Sequence, residues 1–351
     1  MKRNNKNKII SLDKFIFKAL YDPKIGYYSK KKSFGINGDF VTSPNISILF
    51  SEIILIWIIS FWENLKKPKK INIIEMGAGN GEMIYQIIRS SKMFPQFFKS
   101  CNFLIYEKSK SLKNIQQKKL KSYDVSWINK LDNIKTAPTL FIGNEFFDAL
   151  PIKQFVKIND KWFENYVDIS NKEKKIIKVK ININKYQKKY GINLTNNQNF
   201  IEFSPTTFKI FKLISKVLNK MTGGILIIDY GYIENKMLDT LQSVKNHKYS
   251  NYLKNIGHSD ITHLINFKLL EKIAKKVNLK KNGLTTQRNF LINLGILQRA
   301  EIISKNLSFV KKSNIFYRLN RLIDKKQMGE LFKVMFISNK KIRFEIGFKN
   351  D

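Results

Sequence analysis

The segment Ile71-Asn72-Ile73-Ile74-Glu75-Met76-Gly77-Ala78-Gly79-Asn80-Gly81 constrains this chain more than any other: a short apolar run meets three glycines within five residues, then resumes as Met83-Ile84-Tyr85-Gln86-Ile87-Ile88. The pattern predicts a buried β-strand, a tight turn and the first turns of a helix. A chain reversing from strand to helix must pass through positive φ, which glycine tolerates, and bare Cα atoms let backbone lie against a ligand. The helix N-terminus that follows presents N–H groups at the rim of the turn.

Three ligand-binding readings compete for such a turn. A dinucleotide fingerprint needs a third glycine three places after the second, and Glu82 stands there. A P-loop is ruled out by the missing Lys-Ser/Thr pair. Gly77-Ala78-Gly79-Asn80-Gly81, with Glu75 just before it, is spaced instead like the loop of S-adenosylmethionine-dependent methyltransferases, which it resembles. On this stretch alone a glycine turn with no ligand stays open.

Composition narrows the class. At 351 residues and 43% hydrophobic content, the chain can bury a large core as one elaborated domain or two small ones. A formal charge of +37 would suggest nucleic acid or an anionic membrane. Only seven of the 64 basic residues are arginine, however, and lysine scattered through every segment reads as a solvated surface, so no specific nucleic-acid partner is expected. Cys101 stands alone and there are three histidines, so neither a disulfide framework nor a metal site is expected. The basic N-terminus lacks an apolar signal core and a cleavage site, which predicts no signal or transit peptide and a cytoplasmic location. Ile46 to Trp62 is strongly apolar but carries Glu52 and falls short of the ~20 residues of a membrane span. A buried helix fits better.

Taken in order, Ile10 to Leu20 predicts an amphipathic helix stopped by Tyr21-Asp22-Pro23. Gly38-Asp39-Phe40-Val41-Thr42-Ser43-Pro44 closes an aromatic, acid-bearing loop able to fold over a pocket, with Ser43 as a cap and Pro44 in the first turn of the next helix. Phe103 to Glu107 is a second strand ending in an acid. Rossmann-type sheets use a carboxylate there because its two oxygens accept both ribose hydroxyls, which makes Glu107 a candidate. A third strand from Thr139 runs into Asn144-Glu145-Phe146-Phe147-Asp148-Ala149-Leu150-Pro151. If the chain turns helical there, Glu145 and Asp148 share one side, and two acids beside two phenylalanines suit a guanidinium or ammonium ion. The alternative is that Asn144 or Asp148 merely caps that helix. Ile152 to Ile169 predicts a hairpin turning at Asn159-Asp160, with more strand through Lys175 to Ile183 and Phe200 to Phe203. Asp229 ends another core strand, Ser259 or Asp260 is placed to cap a late helix, and Met328 to Ile337 and Ile342 to Phe348 look like closing strands.

Several blocks together, in order over nearly the whole chain, resemble the MidA/NDUFAF7-type family of methyltransferases. They are Tyr21-Asp22-Pro23 with Gly26-Tyr27-Tyr28, Gly38 to Pro44, Glu75 to Gly81, Asn144 to Pro151, Asp229-Tyr230-Gly231-Tyr232, Asp260-Ile261-Thr262 and Met328-Gly329-Glu330. The resemblance implies a bacterial-type member with an α/β fold of the class I methyltransferase (Rossmann-like) kind: a mostly parallel sheet with helices on both faces, an N-terminal helical lid and a β-rich insertion. The expected division is 1–70 for the helices and lid, and 71–351 for the core, with insertions at 152–203 and 285–325. It also implies S-adenosyl-L-methionine as cofactor, with Gly77, Gly79 and Gly81 along its methionine part, Glu75 a further cofactor-binding candidate just before that turn, Glu107 at the ribose and Asp39, Thr42 and Ser43 in the lid. The reaction implied is N-methylation, to the dimethyl stage, of an arginine in a protein such as a complex I core subunit. Glu145 would receive the proton, with Asp148 as partner and Asn144 beside them. Ala78 stands where the family loop usually has proline, Asn45 where a glutamate is usual, and Asn266 where an aspartate is usual; His263 is also displaced. Two other readings stay open: an assembly factor that keeps the cofactor fold without catalysis, and an RNA methyltransferase suggested by the charge.

Overall fold

The computed structural model describes residues 9–29, 42–171, 173–245 and 248–349. Eight strands build its central sheet, seven of them in one continuous row, β1 (Ile71–Met76), β2 (Cys101–Tyr106), β3 (Val125–Ile128), β4 (Thr139–Asn144), β5 (Gly223–Tyr232), β6 (Leu279–Thr286) and β7 (Phe332–Asn339), and the eighth, Ile265–Asn266, pairing with the end of β5. The order along the row is β3-β2-β1-β4-β5-β7-β6. The first five run parallel, and β7 runs antiparallel between β5 and β6.

Every residue of β1 and of β4 is buried, as expected of parallel strands covered on both faces. Side-chain alternation splits the core in two. Ile71, Ile73, Leu140, Ile142, Leu226 and Ile228 point into one cluster, and Ile74, Met76, Phe141, Ile225 and Ile227 into the other. α1 (Leu12–Tyr21) packs in a separate small cluster with Ile152, Val167 and Ile261, and the helices that flank the central sheet include α2 (Ile48–Asn64), α3 (Glu82–Ser91), α4 (Lys110–Lys119), α5 (Pro205–Met221) and α6 (Phe267–Lys276). α2, α3 and the helices between Gln287 and Ile323 supply the first cluster; α5 and α6 supply the second. Trp57 of α2 is central to the first, with Phe61 stacked 5.9 Å away and Phe336 and Phe344 edge-on at 5.0 and 5.3 Å. α2 is the apolar segment weighed above as a span, and among the described residues no helix is long and apolar enough to cross a membrane.

Register positions the site. Met76 pairs with Tyr106 and Asn144 with Ile228, so β2, β1 and β4 end along one edge of the sheet and release Glu107, Gly77 and Glu145 there, while β5 runs on to Tyr232 and holds Asp229 beside them within the strand. Between β4 and α5 the chain makes a second sheet from Lys153–Ile158, Lys161–Asp168, Lys175–Lys180 and Phe200–Phe203, joined by the N-terminal strand Ile9–Ser11. The Lys153–Asp168 hairpin turns at Asn159 and Asp160, both at positive φ.

Several sequence expectations need correction. Ile342 to Phe348 is not a strand: Ile342, Phe344 and Phe348 are buried, but they cap the first cluster without a pairing partner. The edge strands were not foreseen, β3 because it is only four residues long and β6 because it carries two apolar residues in eight. α6 is capped by Asn266, whose side chain accepts from the Leu269 N–H at 2.9 Å, because Ser259 lies too early and Asp260 is held in a strand against Val244. Ser43 does not cap: Thr42 holds the cap position of the short helix Ser43–Ile46, and Ser47 caps α2.

Candidate active site

At the end of β1, Gly77, Gly79 and Gly81 have φ of +68°, +51° and +77°, so the turn needs glycine at each. Gly77 is doubly constrained, since an added Cβ would lie 2.7 Å from Phe146 Cδ2. Glu75, one residue inside the strand, accepts the Ile84 N–H of α3 at 3.1 Å, satisfying one of the helix's open donors. Burial pushes the Glu75 carboxyl up to about 8, against the Ile84 hydrogen bond; nearby Glu107 adds to the rise and Lys119 opposes it.

Glu107 follows β2. Its Oε1 accepts from the Ser109 N–H at 2.8 Å and its Oε2 from Gln116 Nε2 at 3.2 Å. Each oxygen keeps a second lone pair for a ligand hydroxyl. Burial raises its pKa while these bonds hold it back. Gln116 was not singled out from the sequence. Fully buried on α4, it also donates to the Gly79 carbonyl at 2.9 Å and accepts from Trp127 Nε1 at 2.9 Å. It therefore joins the glycine turn to the candidate ribose acid. The available signal was its place one turn after Leu112, the other buried residue of this lysine-rich helix.

The third strand end departs from expectation. The chain does not turn helical after Asn144, because Glu145 takes φ +49° and donates its N–H to the Ile228 carbonyl at 2.9 Å. The Phe147 and Asp148 N–H groups go to Asp229 Oδ2 at 3.0 and 3.3 Å. No helix is left for Asn144 or Asp148 to cap. Asp229, fully buried, thus shapes the loop that carries the candidate acids; burial and the Asp148 and Glu145 charges raise its pKa strongly.

Glu145 Oε1 accepts from the Ser43 N–H at 3.3 Å and from Asn144 Nδ2 at 3.4 Å. Burial and the Asp148 charge push it up to about 8, against these two bonds, with Asp260 adding to the rise. Asp148 accepts the Tyr230 hydroxyl on Oδ2, and burial raises its pKa against that bond and the neighbouring His263. Asp148 Oδ1, Asn144 Oδ1, Ser43 Oγ and His263 Nε2 are buried with no partner among the described residues. Asp260 accepts the Tyr28 hydroxyl at 2.9 and 3.1 Å.

One cavity of about 970 Å³ unites these groups. Glu75, Gly77, Gly79, Glu107, Thr42, Asn144, Glu145 and Asp148 line it, as do Tyr230 and Asp260. Gly81 and Ser43 lie behind the lining, and Asp39 falls outside the described residues. Glu107 and Glu145 end strands two places apart, roughly 10 Å along the sheet edge at the usual strand spacing. The cavity can therefore take a nucleoside-sized ligand at one end and a cationic group at the other. Among the described residues no lysine or arginine pairs with Glu145, Asp148 or Asp229.

Residues 53–285 match the family model described as "Putative S-adenosyl-L-methionine-dependent methyltransferase". Among curated proteins, the chain is 28% identical over 350 residues to "Protein arginine methyltransferase NDUFAF7, mitochondrial" of Xenopus laevis, covering 92% of this chain and 80% of the relative. The Homo sapiens protein of that name is 26% identical over 348 residues, covering 92% and 78%. A Burkholderia thailandensis protein solved with S-adenosyl-homocysteine bound superposes with a TM-score of 0.80 at 20% identity, over 97% of this chain and 89% of that one, a likeness of fold. The class I fold and the S-adenosylmethionine cofactor read from the sequence both stand. The cytoplasmic location does not: these curated relatives are mitochondrial. That expectation rested on a missing apolar leader, and mitochondrial leaders are basic and amphipathic rather than apolar.

Proposed function

The chain belongs to the S-adenosyl-L-methionine-dependent methyltransferase family, and from that premise we propose that it dimethylates an arginine of a protein substrate, with a respiratory complex I subunit as the acceptor. The curated relatives, named as protein arginine methyltransferases, support the acceptor class. The resemblance described above motivates the complex I subunit and the second methyl. The observation that carries the reading is local charge. In a chain of formal charge +37, this cavity gathers Glu145, Asp148 and Asp260 among tyrosines, and none of the lysines that also line it, Lys108, Lys110, Lys130 and Lys209, pairs with Glu145 or Asp148, an environment suited to a cation.

S-adenosylmethionine supplies an electrophilic methyl group on a positively charged sulfur. Gly77 and Gly79 offer bare backbone against its methionine part, and the remaining lone pairs of Glu107 suit its ribose hydroxyls. Glu145 and Asp148 face the guanidinium and draw its charge toward the nitrogens they contact, leaving electron density on the nitrogen that attacks. As the carbon–nitrogen bond forms and the carbon–sulfur bond breaks, that nitrogen must lose one proton, which Glu145 receives. Free arginine does not deprotonate near neutral pH, so a positioned base is required. Phe146, Tyr28 and Tyr230 wall the reaction from water, and orientation supplies most of the rate.

The test is to incubate purified protein with methyl-labelled S-adenosylmethionine and cell extract, then sequence the labelled peptides by mass spectrometry. Dimethylarginine in a complex I subunit is the expected product. Label that ribonuclease removes would transfer the reading to RNA, and cofactor binding with no label on protein would transfer it to a binding factor.

A further inference from the structure

Phe17 and Tyr21, on one wall of the cavity, take no part in the chemistry above. α1 buries Leu12, Phe15, Ile16, Ala19 and Leu20 in the small core cluster beneath it. Phe17 lies on its other side, 55% exposed, yet it lines the cavity together with Tyr21 one turn later. The ring centroids of Phe17 and Tyr21 are 5.6 Å apart, and those of Tyr21 and Tyr28 5.4 Å. The Tyr21 hydroxyl is committed to the Ala149 carbonyl at 3.0 Å, and that of Tyr28 reaches buried Asp260. The series thus runs from solvent at Phe17 to carboxylates at depth.

Aromatic faces attract cations through the ring quadrupole, and buried carboxylates reject anions and disfavour neutral guests. A series of rings leading inward to acids therefore selects a long side chain with a planar positive head. The geometry points to an entry track for the acceptor: the substrate's arginine side chain meets Phe17 at the mouth and threads past Tyr21 to reach Asp148 and Asp260. This rests on the arginine reading above and assigns the route and the residue at its mouth.

The experiment compares acetyl-arginine amide with acetyl-citrulline amide, its neutral counterpart of the same length and shape, as ligands of the protein loaded with S-adenosylhomocysteine, using NMR titration. The arginine amide should bind and the citrulline amide should bind at least roughly tenfold more weakly, the difference being the charge. Phe17→Ala should weaken the arginine amide by roughly three- to tenfold, Phe17→Trp should retain it, and neither should change S-adenosylhomocysteine affinity, which also reports that the exposed-site variants are folded. Equal binding of the two amides, no binding of the arginine amide, or an unchanged affinity in Phe17→Ala would each overturn the track. Charge-selective, Phe17-dependent binding without any labelled protein would instead overturn the methylation reading and leave the track standing as a guanidinium site.

Discussion

Replacing Gln116 with leucine keeps the volume of the side chain and removes its three hydrogen bonds. The Gly79 carbonyl, Glu107 Oε2 and Trp127 Nε1 all lose a partner. A buried polar group left alone costs about 1–3 kcal/mol. Gly79 and Glu107 line the cavity and can turn to water, so the indole N–H of half-buried Trp127 bears most of the cost. Stability should therefore fall by only about 1–2 kcal/mol. Cofactor affinity should fall further, because binding must now re-form the turn and fix Glu107 without two bonds of about 0.5–1.5 kcal/mol each. The combined effect is a weakening of roughly tenfold to a hundredfold. Calorimetric titration with S-adenosylhomocysteine, run beside urea unfolding, separates the two effects. An affinity within about threefold of the parent, alongside the expected loss of stability, would show that Gln116 supports the fold and not the site.

Glu145→Gln should lower the rate of methyl transfer by roughly 10²- to 10⁴-fold and leave S-adenosylhomocysteine affinity unchanged; full activity would remove Glu145 from the chemistry. With its pKa near 8, the parent rate at saturating cofactor should rise with pH and level off above that value, since only the ionised carboxylate accepts the proton. Stability should show the opposite sign. A carboxyl whose ordinary value of 4.5 is raised to about 8 holds a proton when folded that the unfolded chain has released, so folding weakens as pH rises between those values. The difference in urea midpoint between parent and Glu145→Gln should shift against the parent across that window, and a flat difference would refute the shift. Trp57→Ala, which empties a fully buried site among Phe61, Phe336 and Phe344, should cost about 3–5 kcal/mol. A loss under about 1 kcal/mol by urea unfolding would mean that the cluster closes over the gap.

What the sequence disclosed was local. The Ile71–Gly81 stretch is legible because an all-buried parallel strand and a positive-φ turn both write themselves into adjacent residues, and Glu107 and Glu145 stand out because acids at apolar strand ends are conspicuous. Partnerships across the fold left little trace. Gln116 meets Gly79 across 37 positions of sequence, and nothing near it marks it apart from helix spacing. Asp229 was visible as an acid on a strand tip, but its grip on the Phe147 and Asp148 amides depends on β4 and β5 being neighbours. Alternation misled at Ile342 to Phe348, where side chains alternate inward against a helix-covered core without a ladder. The pairing of Ile9–Ser11 with Tyr166–Asp168 was likewise invisible, because three residues carry no register signal of their own.

Glu145 combines two burdens in one residue. A non-glycine residue at φ +49° pays about 1–2 kcal/mol for its left-handed backbone, and its carboxyl is held where ionisation is disfavoured. Glycine at this position would relieve both at once. The folded state would then tolerate the loss of the proposed base better than its presence, so stability and activity pull in opposite directions at this position. A screen of variants for heat resistance alone would tend to recover sturdy proteins that no longer transfer a methyl group.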